Sequence, residues 1–228
     1  MFKLQVKNLS YSYSDTKQLI FSNLNWQLEG SGFYSLFGLS GSGKTTFARL
    51  IEGDLIPSSG AIKRSSQRVL YTSNLERLPG WMSIYDHFYN VTPPQKQDLL
   101  ETLIKDFGIE HVLKKRFHDL SLGQKNRVNF LRYLVQEFDL LIVDEALANV
   151  DEPTRIKILT ITREMFRDVT ILYISHNVLE VIRFSKKVFI LPQSHPVKQL
   201  LEIDGLNGKE IDEHSQGKIV IEVLKKAT

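Results

Sequence analysis

Residues 38 to 46 read Gly38-Leu39-Ser40-Gly41-Ser42-Gly43-Lys44-Thr45-Thr46. This is the pattern G-x-x-x-x-G-K-[ST] with an extra glycine inside it. A triphosphate tail is a dense negative charge, and this stretch has the means to hold one. Gly38, Gly41 and Gly43 lack Cβ, so the backbone can take positive φ and wrap around an anion. Lys44 supplies a point charge for the β- and γ-phosphates. Thr45 can place its hydroxyl on Mg²⁺. Ser40, Ser42 and Thr46 belong to the same binding stretch.

Three further clusters can act on such a ligand. Asp144-Glu145 follows the apolar run 140–143. Asp144 can hold Mg²⁺, directly or through water, and Glu145 can polarise the water that attacks the γ-phosphate, as general base. Ser175-His176 follows the apolar run 170–174; a histidine there can hydrogen-bond the γ-phosphate and sense its loss. Leu120-Ser121-Leu122-Gly123-Gln124 opens a helix that carries Lys125 and Arg127. A serine and a glycine at a helix N-terminus make a second anion site. Taken singly, the histidine also reads as a structural strand end and the serine as an ordinary helix cap.

The elements that position these residues follow from pattern. Residues 33–37 read as a short buried strand before the loop, and residues 46–51 as the helix after it, so the loop lies at a positive helix end. The first 30 residues look like β-structure, with Leu24, Trp26 and Leu28 alternating with polar residues. Short strands are predicted over 61–63 and 69–72. From about 78 to 135 the character is helical: an amphipathic helix over 95–107, then helical segments over 109–115 and 122–136. Strands at 140–143, 170–174 and 187–191 then alternate with helices at 152–166 and 177–184. Apolar strands alternating with helices predict an α/β fold with a mostly parallel sheet covered on both faces. Residues 192–228 are less legible; 218–226 reads equally as strand or helix.

Composition sets bounds. The 228 residues, 42% hydrophobic and 24% charged, fit one soluble domain with an ample core. A net charge of +3 gives no case for nucleic acid as a partner. There is no cysteine, which excludes disulfides and thiolate metal sites. The N-terminal residues have no continuous apolar stretch, so no signal peptide is expected, and no run is long enough to span a membrane.

In combination these pieces resemble the nucleotide-binding ATPase subunit of an ATP-binding cassette (ABC) transporter, over residues 1 to about 192. Gly38 to Thr45 matches the family's Walker A. Asp144 and Glu145 match Walker B and its catalytic glutamate. Leu120 to Gln124 matches the signature L-S-G-G-Q, residues 148–151 match the loop that ends in Asp151, and His176 matches the switch histidine. Tyr13 lies where the family stacks an aromatic on adenine, with Tyr11 as competitor.

The resemblance implies a RecA-like mixed or parallel sheet core with an N-terminal antiparallel β subdomain and an inserted helical subdomain. The expected division is 1–75 and 136–192 for core and β subdomain, 76–135 for the helical subdomain, and 193–228 for a C-terminal extension. It implies ATP and Mg²⁺, with Glu145, His176 and Lys44 as catalytic residues. Nucleotide contacts fall to Tyr13, the loop residues 38 and 40–46, Ser121, Gly123, Gln124 and Asp151. Metal contacts fall to Thr45, Asp144 and Asn74.

The implied partners are a second ATPase subunit, head to tail in a homodimer, and separate transmembrane permease subunits, with the chain peripheral on the cytoplasmic face of the membrane. Trp81, Met82, Tyr85 and Phe88 are expected to meet the permease. Two positions depart from the family. Asn74, with Ser73 as the other candidate, stands where it has glutamine, and Leu122 replaces a signature glycine. These keep a degenerate or regulatory heterodimer partner, or a non-transport ABC ATPase, as alternatives. Residues 78–84 look like a stretch of nitrate, sulfonate and taurine importer ATPases.

Overall fold

The computed structural model describes residues 2–14, 18–74 and 78–228. Along the chain run β1 (Lys3–Ser12), β2 (Leu19–Glu29), β3 (Gly32–Phe37), α1 (Lys44–Glu52), β4 (Ser59–Arg64) and β5 (Val69–Ser73). A helical stretch follows, with α2 (Ile84–Val91), α3 (Gln97–Asp106) and α4 (Leu122–Leu134). Alternation then resumes through β6 (Leu140–Asp144), α5 (Glu152–Met165), β7 (Thr170–Ile174), α6 (Val178–Phe184) and β8 (Lys187–Ile190). The chain ends in β9 (Leu201–Asp204) and α7 (Glu213–Ala227).

The strands form two sheets. β2-β1-β4 is antiparallel, and the six-stranded sheet runs β5-β6-β7-β3-β8-β9. All neighbours in the larger sheet are parallel except β8 and β9. Its strands read as unbroken apolar runs because both faces are covered. Leu140, Ile142, Leu172 and Ile174 face the antiparallel sheet and α1, packing with Leu4, Trp26 and Phe47. Leu141, Val143, Ile171 and Tyr173 face the other way, into a core with Phe107, Val128, Phe130 and Ile158.

Strand order places the site. β5, β6, β7 and β3 are consecutive neighbours, and parallel strands end on one rim. Ser73 pairs with Asp144, and Asp144 with Ile174. The chain segments that leave these four strands therefore emerge side by side.

Three expectations change. The helix expected from residue 95 begins as a 3₁₀ turn at Pro94–Lys96, and α3 starts at Gln97, because Lys96, at φ −111° and ψ 13°, lies outside the α-helical region. The expected helix over 109–115 is a single 3₁₀ turn, Glu110–Val112. Gly108, at φ 62°, reverses the chain just before it. The ambiguous run 218–226 is helical. Asp212 caps α7 by accepting from Ser215 N at 2.9 Å, and Val223 and Ala227, one turn apart, are its buried face. The expected boundary between 75 and 76 falls on residues outside the described set.

Candidate functional site

The phosphate loop joins β3 to α1. Gly43 caps α1 at φ 97°, with no side-chain cap and no acidic residue in the first turn. The first N–H groups of the helix are thus left for an anion. Gly41 and Gly43 have positive φ, as expected, but Gly38 does not. Gly38 is required for space instead: a Cβ there would lie 2.4 Å from Ser42 Oγ and 2.9 Å from Leu191 O. Ser42 is fully buried, its hydroxyl set against Gly38 and outside the lining of the cleft described below.

Lys44 is buried, and its Nζ donates to Gly38 O at 2.8 Å and Leu39 O at 3.0 Å. The side chain therefore folds back under its own loop. Burial pushes its pKa down, and the carboxylates of Glu145 and Asp144 push it back up. Thr45 Oγ1 donates to Asp144 Oδ2 at 2.8 Å. Tyr71 OH donates to the same oxygen at 2.9 Å.

Asp144 is buried, which raises its pKa, while the two hydroxyl donors lower it. Burial pushes the Tyr71 phenol well above its usual range, with the Asp144 charge adding to the effect. Tyr71 carries no motif and was missed in the sequence. Its only signal there was a polar-tipped aromatic in the strand preceding the helical stretch.

Glu145 takes a left-handed conformation, φ 51°, which costs a non-glycine residue about 1–2 kcal/mol. It is held there by Glu145 N donating to Ile174 O at 3.1 Å and Ala148 N donating to Glu145 O at 3.0 Å. A strained residue fixed on both sides aims its side chain. Here the target is His176, whose Nδ1 lies 3.1 Å from Glu145 Oε1.

These groups line one cleft of about 680 Å³ with Tyr13, Gln18, Ile20, Ser40, Gly41, Gly43, Thr46, Ser73 and Asn74. Tyr13 is a wall of the cleft, its OH 2.8 Å from Thr46 Oγ1. Tyr11 is buried, and its ring meets Tyr13 edge-on at 5.1 Å. Thr45, Asp144 and Asn74 offer only oxygen and amide donors, a set suited to a hard divalent cation. Among the described residues no three His, Cys, Asp or Glu side chains cluster as a metal cage, so a cation here needs ligand oxygens as well.

Ser121, Gly123, Gln124 and Asp151 do not line this cleft. Ser121 caps α4 in a reciprocal capping box with Gln124: Gln124 N to Ser121 Oγ is 3.3 Å, and Ser121 N to Gln124 Oε1 is 3.0 Å. Leu122 is 64% exposed, so its side chain leaves that cap undisturbed. Gly123 packs the start of α4 on the 148–150 loop, where a Cβ would come 2.7 Å from Asn149 O. Asp151 caps α5, accepting from Thr154 N at 3.1 Å. That hydrogen bond holds its carboxyl below the usual range.

The aromatic set near residue 81 is only partly on the surface. Trp81 is 75% and Tyr85 56% exposed, Met82 is half-buried, and Phe88 is core. Phe88 faces inward because it lies among the apolar residues of α2 and α4; Tyr89, 66% exposed, extends the outer patch in its place.

A strand, a glycine-rich loop and an uncapped helix, with an acidic pair on the neighbouring rim, define a P-loop nucleotide-binding ATPase. The sequence profile of the ABC transporter family matches residues 21–148, more than half of the chain, and the chain belongs to that family. It is 28% identical over 84% of its length to an uncharacterised ABC transporter ATP-binding protein of Haemophilus influenzae, covering 84% of that protein. It is 29% identical to the glucose import ATP-binding protein GlcV of Saccharolobus solfataricus, over 84% of this chain and 61% of that one. The structure of cbiO1 from Clostridium perfringens, part of the ABC transporter complex cbiONQ, matches with a TM-score of 0.72 at 25% identity, covering 98% of this chain and 94% of that one. The chain thus spans less than two thirds of GlcV. Among the described residues no helix is long and apolar enough to cross a membrane.

Proposed function

We propose that this chain binds and hydrolyses ATP as the ATPase subunit of an ABC transporter, in which ATP-driven closure of two subunits powers transport. One observation carries the reading. The phosphate loop with Lys44, the Thr45–Asp144 pair and the Glu145–His176 pair all face one cleft. Adenine stacks on Tyr13, and the triphosphate lies along the loop and the free end of α1. Thr45 and Asp144 would hold Mg²⁺, with Asn74 beside them in the cleft. When bound, the ion neutralises charge on the phosphate oxygens. Glu145 takes a proton from water as the water oxygen bonds to the γ-phosphorus. The bond from that phosphorus to the β–γ bridging oxygen breaks, and ADP leaves. His176, oriented through Glu145, contacts the γ-phosphate. The intact Glu145–His176 contact disfavours a non-catalytic partner.

Ser121, Gly123, Gln124 and Asp151 serve the nucleotide of a second subunit, head to tail, so that two composite sites form per dimer. The outer patch of Trp81, Tyr85 and Tyr89 receives the transmembrane permease, placing the chain on the cytoplasmic face of the membrane. The reading as a nitrate, sulfonate or taurine importer rests on residues 78–84 alone. An ATPase assay on the purified chain, with nucleotide affinity measured in parallel, tests the proposal. A parent chain that binds no ATP overturns it.

A further inference from the structure

The phosphate loop is gripped from outside, and its crown is gripped differently from its ends. At the start of the loop, Gly38 is wedged against Leu191. At its end, a Cβ on Gly43 would lie 3.0 Å from Ile20 and 3.3 Å from Phe21. Between them Gly41 stands at φ 81°, with no atom of the described residues within 4 Å of where a Cβ would be. Among the described residues none packs where that Cβ would be, and glycine backbone loses more freedom on ordering than any other residue. The crown is held by one side chain from far along the sequence: His195 Nε2 lies 3.0 Å from Gly41 O. A carbonyl oxygen only accepts, so Nε2 carries the proton and donates. Among the described residues Nδ1 is buried without a hydrogen-bond partner.

The segment that carries His195 is itself tied down on both sides. Leu191 N donates to Phe37 O at 2.8 Å and Gln193 N to Ala227 O at 2.9 Å. Beyond the histidine, Val197 N donates to Ile20 O at 2.8 Å, and Ser22 N donates to Val197 O at 3.0 Å. The imidazole is therefore presented from a fixed bracket between the end of α7 and the start of β2.

We infer that His195 is a positioning residue for nucleotide binding, holding the Gly41 crown in its anion-receiving shape before the nucleotide arrives. This rests on the ATP reading above. A loop already shaped for its ligand avoids part of the ordering cost of binding. One neutral hydrogen bond corresponds to about a 2- to 13-fold change in affinity.

The test compares the parent chain with His195→Phe, which keeps a ring and loses the donor, and His195→Gln, which keeps a donor amide. Affinities for ATP and ADP are measured by calorimetry, kcat and KM by an ATPase assay, and folding by thermal melting. His195→Phe is expected to bind both nucleotides about 2- to 13-fold more weakly, with the loss in KM more than in kcat. His195→Gln is expected to recover most of it. If phenylalanine lowers the melting temperature, His195→Ala replaces it in the comparison. Parent-like affinity in the donorless variant, or a glutamine variant as weak as phenylalanine, overturns the inference alone. A parent chain that binds no ATP overturns it together with the function it rests on.

Discussion

Replacing Glu145 by glutamine separates two roles that the same geometry allows. Glu145 Oε1 lies 3.1 Å from His176 Nδ1, so Glu145 can act on water as a base or merely hold the histidine. Glutamine has the same size and an amide oxygen that can accept the same Nδ1–H. If holding were the whole role, the change would turn a charge-assisted bond into a neutral one. Charge-assisted bonds are roughly twice as strong as neutral ones, so the loss would be about 0.5–1.5 kcal/mol, or roughly 2- to 13-fold in rate. A lost general base costs about 10²–10⁴ in turnover, or about 2.7–5.4 kcal/mol. The two ranges do not overlap.

The assay is steady-state ATPase activity of Glu145→Gln beside the parent chain, with ATP affinity measured separately. The Glu145 carboxylate raises the pKa of Lys44, so its charge is felt where the triphosphate lies. Removing that charge leaves ATP affinity unchanged or tighter, whereas general misfolding would lower it. Turnover falling by more than 100-fold with affinity kept is the expected outcome. Turnover within about tenfold of the parent would refute the base assignment and leave Glu145 as a support for His176.

Lys44→Ala removes both the buried charge and the Nζ bonds that close the loop on Gly38 and Leu39; calorimetry is expected to detect no ATP binding, and a tight complex would count against the loop assignment. Gly123→Ala forces a Cβ to within 2.7 Å of the Asn149 carbonyl, and the backbone there cannot swing aside as a side chain can. Denaturant titration is expected to show a loss of about 1–3 kcal/mol, the usual range for overpacking. Trp81→Ala, on the exposed patch, is expected to change stability by no more than about 0.5 kcal/mol and to abolish co-purification of the permease. Phe88→Ala, in the core, is expected to cost about 3–5 kcal/mol; a neutral Phe88→Ala would put Phe88 back on the docking face.

The residues that meet in the cleft were legible in the sequence because the phosphate loop and the Asp144-Glu145 pair are local patterns. Their types and order need no tertiary knowledge, and strand ends are where α/β sheets present side chains. Periodicity also found the strands, since runs such as 140–143 are apolar on both faces of a covered sheet. It was less reliable where the signal is short. Apolar spacing does not register the non-helical Lys96, which delays α3, or the turn at Gly108, after which only one 3₁₀ turn forms. Residues 218–226 carried no decisive period, and the Asp212 cap upstream of them settled α7 as a helix.

What the sequence could not show is which distant side chains reach the site. Tyr71 meets Asp144 only because β5 is hydrogen-bonded beside β6, with Tyr71 opposite Ile142. His195 meets Gly41 only because its bracket is pinned to Phe37, Ala227 and Ile20. Neither residue belongs to a spaced motif, since each contact is made by sheet order or chain return. The motif residues carry chemistry that any relative with the same pattern can attempt. How firmly Asp144 and the Gly41 crown are held depends on residues outside the motif. Tyr71 and His195 therefore stand beside Asn74 among the positions to test when nucleotide binding is measured. Leu122 is a weaker candidate, because its exposed side chain leaves the Ser121–Gln124 capping box intact.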